Sequence, residues 1–139
     1  MLASFQLTFH PVIMPQPSIA VVGASNDRRK FGNRAVRAYA SRGYAVFPIH
    51  PREATIEGFP VYRSVSEVPV PQLDRVSLYL PAELALFVLE DIARKPVKEV
   101  WFNPGADSAH VVARARALGL PVVVGCSIVD IGVDPHGLD

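Results

Sequence analysis

A polar and basic loop follows an apolar run near the start of the chain, and its residue types suit the binding of an anion. The apolar residues 19–22 end at Gly23, and Ala24 and Ser25 come next. Because Gly23 has no Cβ and the two following side chains are small, a ligand can approach the backbone closely. The free N–H groups at the start of the next helix can then receive a phosphate.

The same loop carries three adjacent cations, Arg28, Arg29 and Lys30. Such a cluster is often only a solvated surface loop. Its position directly after a glycine that ends a strand instead favours a ligand with several phosphates. Among the three we expect Lys30 to make the main phosphate contact.

The elements that must position this loop alternate between strands and helices. Apolar runs bounded by Gly and Pro predict five strands, and runs of helical period predict the helices between them. The strands are expected at 19–22, 44–49, 75–80, 97–102 and 120–124, with helices at 31–42, 82–94 and 108–118. Residues 59–62 could add a short extended piece, and 128–133 a short helix or an edge strand.

This alternation predicts an α/β fold: one Rossmann-like, doubly wound parallel sheet of about five strands in the order 3-2-1-4-5. Ligands of such sheets bind beyond the carboxyl ends of the strands, where the winding reverses. Segments 23–33, 50–52, 80–81 and 103–105 should therefore meet in one crevice.

Helical spacing also predicts which side chains face the sheet. In the first helix these are Phe31, Ala35, Ala38 and Tyr39. In the helix over 82–94 the apolar residues at helical spacing are Leu84, Phe87, Val88 and Ile92.

Two common nucleotide motifs fit poorly. The loop has only the first glycine of G-x-G-x-x-G, and the second strand ends in His50, Pro51 and Arg52 where a ribose-binding acid is expected for NAD. NADP binding through Arg52 remains open. A P-loop would need glycine and lysine where Arg28 and Arg29 stand.

Composition limits the function classes. With 139 residues, half of them hydrophobic, we expect a domain over 18–139 preceded by an arm over 1–17 that packs on it or on a neighbour, or that precedes a true start at Met14. A net charge of +1 argues against nucleic acid, and no apolar run is long enough to span a bilayer. The single Cys126 fits a reducing compartment, which predicts a cytoplasmic protein, and the scattered His10, His110 and His136 predict no metal site.

Several stretches together resemble the stand-alone CoA-binding proteins, which are similar to the nucleotide-binding domain of the succinyl-CoA synthetase alpha subunit. They are VVGAS with its basic loop and GN helix start, GYAVFPIHP, GFPVYRSVSEVP, DRVSLYLPAE and KEVWFNPGA. The resemblance covers about residues 18–130. It implies a Rossmann-like domain that holds coenzyme A.

By this resemblance, phosphates would contact Gly23, Ala24, Ser25 and Lys30, with Arg29 on the same loop and Asn33 nearby. The adenosine end would lie against His50, Pro51 and Arg52, and the other side would be enclosed by Leu80, Pro81, Asn103 and Gly105. Two stretches depart from the usual pattern: His50 replaces an Asn, and residues 103–105 replace a turn that contains Gln.

The expected function is therefore binding of CoA or an acyl-CoA, a small nucleotide ligand, without catalysis by this chain and without a phosphorylated histidine. An NADP-dependent reductase or one component of an acyl-CoA-processing pair is the alternative. A regulatory or structural subunit with a degenerate pocket is a third. The apolar arm and the tail at 128–133 could cover surface in a homodimer.

Overall fold

The computed structural model describes residues 16–138, so the predicted arm lies outside the described residues except for Gln16 and Pro17. Five parallel strands form the main sheet, and a two-stranded hairpin lies beside it. The strands are β1 Ser18–Val22, β2 Ala45–Ile49, β3 Thr55–Ile56, β4 Phe59–Pro60, β5 Leu73–Leu78, β6 Val97–Phe102 and β7 Val122–Val124. The helices are α1 Phe31–Ser41, α2 Ala82–Ile92, α3 Ala109–Ala117 and α4 Ser127–Asp130, with a short 3-10 turn at Val65–Glu67.

The main sheet has the order β2-β1-β5-β6-β7 and confirms the Rossmann-like fold. β1 lies between β2 and β5, with Val22 opposite Ile49 on one side and Leu78 on the other. Outside β2, Tyr62 makes a parallel bridge to Ile49 and so takes the third position of a 3-2-1-4-5 order. The run expected as the third strand forms β5, two residues earlier than expected, and takes the fourth position beside β1.

Both faces of the sheet are buried, as the continuous apolar runs require. Ile19 and Val21 pack with α1 and α4, whereas Ala20 and Val22 belong to the core under α2 and α3. Pro48 does not end β2, because its carbonyl accepts a hydrogen bond from the N–H of Tyr62 and its missing donor therefore faces the outer edge.

The helix faces differ in part from those expected. In α1, Ala35, Ala38 and Tyr39 are buried, but Phe31 is 45% exposed. In α2 the buried residues are Ala85, Leu89 and Ile92. Of the apolar residues at helical spacing, Ile92 is therefore buried, whereas Leu84 and Phe87 are 51% and 82% exposed. Within residues 16–138 no helix is long and apolar enough to cross a membrane.

Candidate functional site

A cleft of about 700 Å³ opens at the carboxyl ends of the central strands. It brings together six of the residues expected at the site: Gly23, Lys30, Leu80, Pro81, Asn103 and Gly105. The loops after β1, β5 and β6 supply them, and these strands are neighbours in the sheet. The cleft therefore lies at the switch point where the winding of the sheet reverses.

Two glycines bring the loop after β1 and the start of α1 into close contact. Gly23 has φ +90°, and a Cβ there would lie 2.6 Å from the carbonyl oxygen of Tyr79. A Cβ on Gly32 would lie 2.0 Å from the carbonyl oxygen of Gly23. Only glycines allow this packing, so Gly32 takes the role of the glycine that lets helix and strand approach in a dinucleotide fingerprint.

The start of α1 keeps backbone donors available. Lys30 occupies the N-cap position without a side-chain cap, and its carbonyl accepts the N–H groups of Asn33 and Arg34. Among residues 16–138, the N–H groups of Phe31 and Gly32 find no acceptor. Because these groups lie at the positive end of the helix dipole, this corner attracts an anion.

The three cations of the loop have different partners. Arg28 Nε lies 3.4 Å from Glu57 Oε2, and Arg29 makes two bonds of 3.0 Å to the carboxylate of Asp27. The hydrogen bonds from Arg29 lower the pKa of Asp27 to about 2. Lys30 has no ion pair within the described part of the chain, and it lines the cleft, whereas the two arginines do not. Lys30 is therefore the cation of this loop that a ligand can use.

Ala24, Ser25 and Asn33 lie behind this corner rather than in the cleft lining. The buried amide of Asn33 donates to the carbonyl of Ser25 at 2.8 Å and to Glu57 Oε2 at 3.2 Å, and its oxygen accepts Arg37 Nε at 2.8 Å. The hydroxyl oxygen of Ser25 accepts the N–H of Asp27. These side chains fix the shape of the loop.

His50, Pro51 and Arg52 follow β2 and do not line the cleft. His50 Nδ1 accepts the N–H groups of Arg52 and Glu53, both at 3.0 Å, and so closes a turn. The turn lies beside the loop after β1, because Asn26 donates to Glu53 Oε2 at 3.1 Å.

The side chain of Asn103 belongs to a buried polar network beneath the cleft. Its NH₂ group donates to Ser77 Oγ at 2.8 Å and to the carbonyl of Leu78 at 2.9 Å, and its oxygen accepts the N–H of Ser127 at 2.8 Å. Asn103 therefore ties the C-terminal segment to the sheet and keeps no amide hydrogen for a ligand.

Sequence reasoning missed the wall that residues 126–136 add to the cleft. Cys126, Val129, Asp134, Pro135 and His136 form this wall. The cleft is also lined by Tyr79 and Ala106, which were not expected there, and by Phe31, Gly32 and Pro104, which belong to segments expected to meet in the crevice. Nothing local in the sequence marks the C-terminal residues, since their partners lie far along the chain. Phe31, the first residue of α1, was expected to face the sheet because of its helical spacing, but its ring lines the cleft instead.

Long-range hydrogen bonds hold this wall. Arg34 Nη1 donates to the carbonyl of Pro135 at 2.8 Å, and Arg42 donates to the carbonyls of Ile131 and Gly132 at 3.0 and 2.9 Å. The phenol of Tyr79 lies 3.2 Å from Ser127 Oγ, and burial raises its pKa to about 12. The wall is therefore a fixed part of the cleft.

Known proteins resemble part or most of this chain. An ADP-forming acetate–CoA ligase II subunit alpha from Pyrococcus furiosus is 34% identical over 83 residues, which are 59% of this chain and 18% of that protein. The chain thus spans less than a fifth of the length of the curated relatives it matches.

Two solved structures share the fold. A conserved hypothetical protein from Pyrococcus furiosus has a TM-score of 0.73 and 31% identity, covering 82% of this chain and 98% of that one. The dinucleotide-forming acetyl-coenzyme A synthetase 1 of Ca. Korarchaeum cryptofilum, solved with phosphate and ADP, has a TM-score of 0.65 and 30% identity over 76% of this chain and 25% of that one. Residues 17–132 match the CoA binding domain family, and the chain belongs to that family.

Proposed function

We propose that the chain binds coenzyme A or an acyl-CoA in this cleft, with the diphosphate at the start of α1. The observation that carries the proposal is the open helix start. Two N–H groups without acceptors and the unpaired ammonium of Lys30 lie beside the glycine contact at one end of the cleft. Membership of the CoA binding domain family supports the choice of ligand.

The dimensions and lining of the cleft suit a long ligand with an apolar portion. Neighbouring strands lie about 4.8 Å apart, so the three spacings from β1 to β7 span about 14 Å. Leu80, Pro81, Ala106 and Val129 supply apolar surface along this path. In our proposal the pantetheine arm runs across the strand ends, with Asn103 and Gly105 beneath it.

The adenosine end would extend the other way, towards the turn after β2. There the backbone and side chains of His50, Pro51 and Arg52 would contact it outside the cleft, and Ala24, Ser25 and Asn33 would hold the loop between. Arg29 would add positive charge without a direct contact, since Asp27 already binds it.

We further propose that the chain holds its ligand without transforming it. Among the described lining residues, the amide of Asn103 is used by the buried network, and no hydrogen bond joins the thiol of Cys126 to His136 or Asp134. The test is to incubate the protein with acetyl-CoA and follow the release of free thiol. We expect no release above the rate in buffer, and catalysed release would favour an acyl-CoA-processing enzyme.

Ligand choice is tested by calorimetry with CoA, acetyl-CoA, NAD and NADP, each titrated into the wild-type protein. We expect CoA and acetyl-CoA to bind more tightly than the two dinucleotides. Preference for NADP would instead support a reductase, and absence of binding by all four would support a structural subunit with a degenerate pocket.

The phosphate corner is tested by two neighbouring charge substitutions. Lys30→Gln should weaken CoA binding about tenfold, because one charge-assisted contact is worth about 1.4 kcal/mol or more. Arg29→Gln is the matched control: it removes a charge one residue away that is paired with Asp27, so affinity should change less than about threefold. Equal effects of the two variants would contradict a direct contact by Lys30.

A further inference from the structure

We infer that a second, smaller cavity beside α2 binds the purine ring of the ligand and that the side chain of Phe87 stacks on this ring. The inference rests on the proposed function, because it takes the position of the diphosphate from it. It assigns a base-binding site to residues outside the set expected from the sequence. It also gives a role to an aromatic side chain of α2 that is 82% exposed.

The second cavity lies at the carboxyl ends of β1 and β2 and has a volume of about 250 Å³. Val22 and Ile49, the last residues of these strands, line it, and so do Val65 of the 3-10 turn and Val88 of α2. All four belong to the core under α2 and α3 or pack against it, so the floor of the cavity is apolar. The volume is smaller than that of pockets for whole drug-sized ligands, so it suits a single ring system.

The end of β1 separates this cavity from the main cleft. Val22 lines the second cavity, and the next residue, Gly23, lines the main cleft together with Lys30 and Phe31 from the start of α1. Gly23 has no side chain to block the passage between the two. A ligand whose diphosphate lies at the start of α1 can therefore cross the end of β1 and place its base in the second cavity.

The turn after β2 borders the same cavity. Arg63 lines the cavity, and its guanidinium donates to the carbonyl oxygens of His50 and Arg52 at 2.9 and 3.2 Å. These bonds hold the turn at the rim of the cavity. Because we assign the adenosine end to this turn, a ribose bound there would direct its base into the cavity.

The lining of the second cavity matches a purine, which has two apolar faces and a polar edge. The apolar floor can contact a face of the ring, and Ser64 and Asp91 add a hydroxyl and a carboxylate. The carboxylate of Asp91 accepts the backbone N–H and the hydroxyl of Ser66. Its oxygens keep further lone pairs, which can accept the exocyclic amino group of adenine.

Phe87 supplies a flat aromatic surface to this cavity. Its ring lines the cavity although most of the side chain is in contact with solvent. An aromatic ring in this position can stack on a base of any sequence type, because every base has a π face. Loss of such a stacked ring weakens binding about tenfold.

Calorimetry with CoA and three variants of Phe87 tests this inference. Phe87→Ala should weaken binding about tenfold, and Phe87→Leu should weaken it about fivefold or more, because leucine is apolar but has no flat face. Phe87→Trp should bind CoA at least as tightly as the wild-type protein. Since Phe87 is 82% exposed, all three variants are expected to fold.

Leu84→Ala is the matched control. Leu84 is an apolar residue of the same helix that is 51% exposed, and it lines neither the main cleft nor the second cavity. Its substitution should change the dissociation constant less than about twofold. An equally small effect of Phe87→Ala, with CoA still bound by the wild-type protein, would overturn the base site and leave the proposed function standing. Absence of CoA binding by the wild-type protein would overturn both.

Competition by 4′-phosphopantetheine, the part of CoA without the nucleoside, shows which end of the ligand Phe87 contacts. Its own affinity should be the same for the wild-type protein and Phe87→Ala, because it has no base to stack. A loss of affinity as large as that for CoA would place the pantetheine arm in the second cavity and overturn the assignment of the base.

Discussion

Gly23 and Gly32 show how two residues decide the shape of the corner between β1 and the start of α1. Gly23 is visible in the sequence because it ends an apolar run, and its φ of +90° matches the residue type. Gly32 is the second residue of α1, although glycine has a low helix propensity. The structure explains this glycine, because the carbonyl oxygen of Gly23 occupies the space that a Cβ on residue 32 would need.

Substitution of Gly32 by alanine should therefore be costly in spite of the gain in helix propensity. The new Cβ would lie 2.0 Å from a backbone oxygen that no side-chain rotation can move, so α1 must shift away from the loop. We expect a loss of about 3 kcal/mol or more in the free energy of unfolding, measured with urea.

Gly43→Ala is the matched control for this substitution. Gly43 has φ +80°, but a Cβ added there would meet no atom within 4 Å, so the cost should be about 1 kcal/mol from backbone strain alone. Equal losses in the two variants would show that the contact between α1 and the loop does not limit stability.

At the scale of elements, α2 shows what hydrophobic periodicity can and cannot specify. Its existence follows from an apolar stretch after Pro81, and its start agrees with the expectation. Apolar residues lie nearly all around it, so the pattern alone does not choose a buried face. The buried face is set by packing against the sheet and α3, which bury Ala85 and Leu89 and leave Leu84 and Phe87 exposed.

Two truncations in α2 should therefore differ sharply. Leu89 is fully buried in the core with α3, so Leu89→Ala should cost about 3 kcal/mol in the free energy of unfolding. Phe87 is 82% exposed, and Phe87→Ala should cost less than about 0.5 kcal/mol. Urea denaturation measures both, and a larger loss at Phe87 would show that this ring packs into a core.

The positions of the strands were predictable because their sequence signals are local. Each is a short apolar run ended by Gly, Pro or a polar turn, and such signals are local. The type of strand order was predictable, but the position of one run was not: β5 lies beside β1, and the Tyr62 bridge fills the third position instead. The shift of β5 by two residues reflects pairing of Leu73 with Val97, which its own residues do not encode.

At the scale of the whole molecule, the C-terminal segment is the part that local patterns could not place. Tyr39 donates to the carbonyl of Ser127 across 88 positions, and Arg34 reaches Pro135 across 101. The first contact belongs to a polar network that joins α1, the tail and the sheet through Ser127 and Ser77, and the second ties the tail to α1 separately. The cleft needs that network, since the tail forms one of its walls.

The same network predicts how the molecule responds to alkaline pH. Burial raises the pKa of Tyr79 to about 12 from an ordinary value of 10.0, and burial also raises the pKa of Tyr39. Because the folded protein disfavours the phenolate, the stabilisation is complete below about pH 10 and is lost as the pH rises towards 12. For Tyr79 the loss is on the order of 2 kcal/mol.

Tyr79→Phe isolates this contribution. At about pH 8 the variant should be about 1 kcal/mol less stable in urea, because the hydrogen bond to Ser127 is gone. Between about pH 10 and 12 the wild-type protein should lose more stability than the variant, so the difference shrinks and then reverses. Difference absorbance at about 295 nm between the two proteins gives the titration of Tyr79 alone. A midpoint near pH 10 would contradict the burial of this phenol in the cleft wall, because an exposed phenol titrates at about that pH.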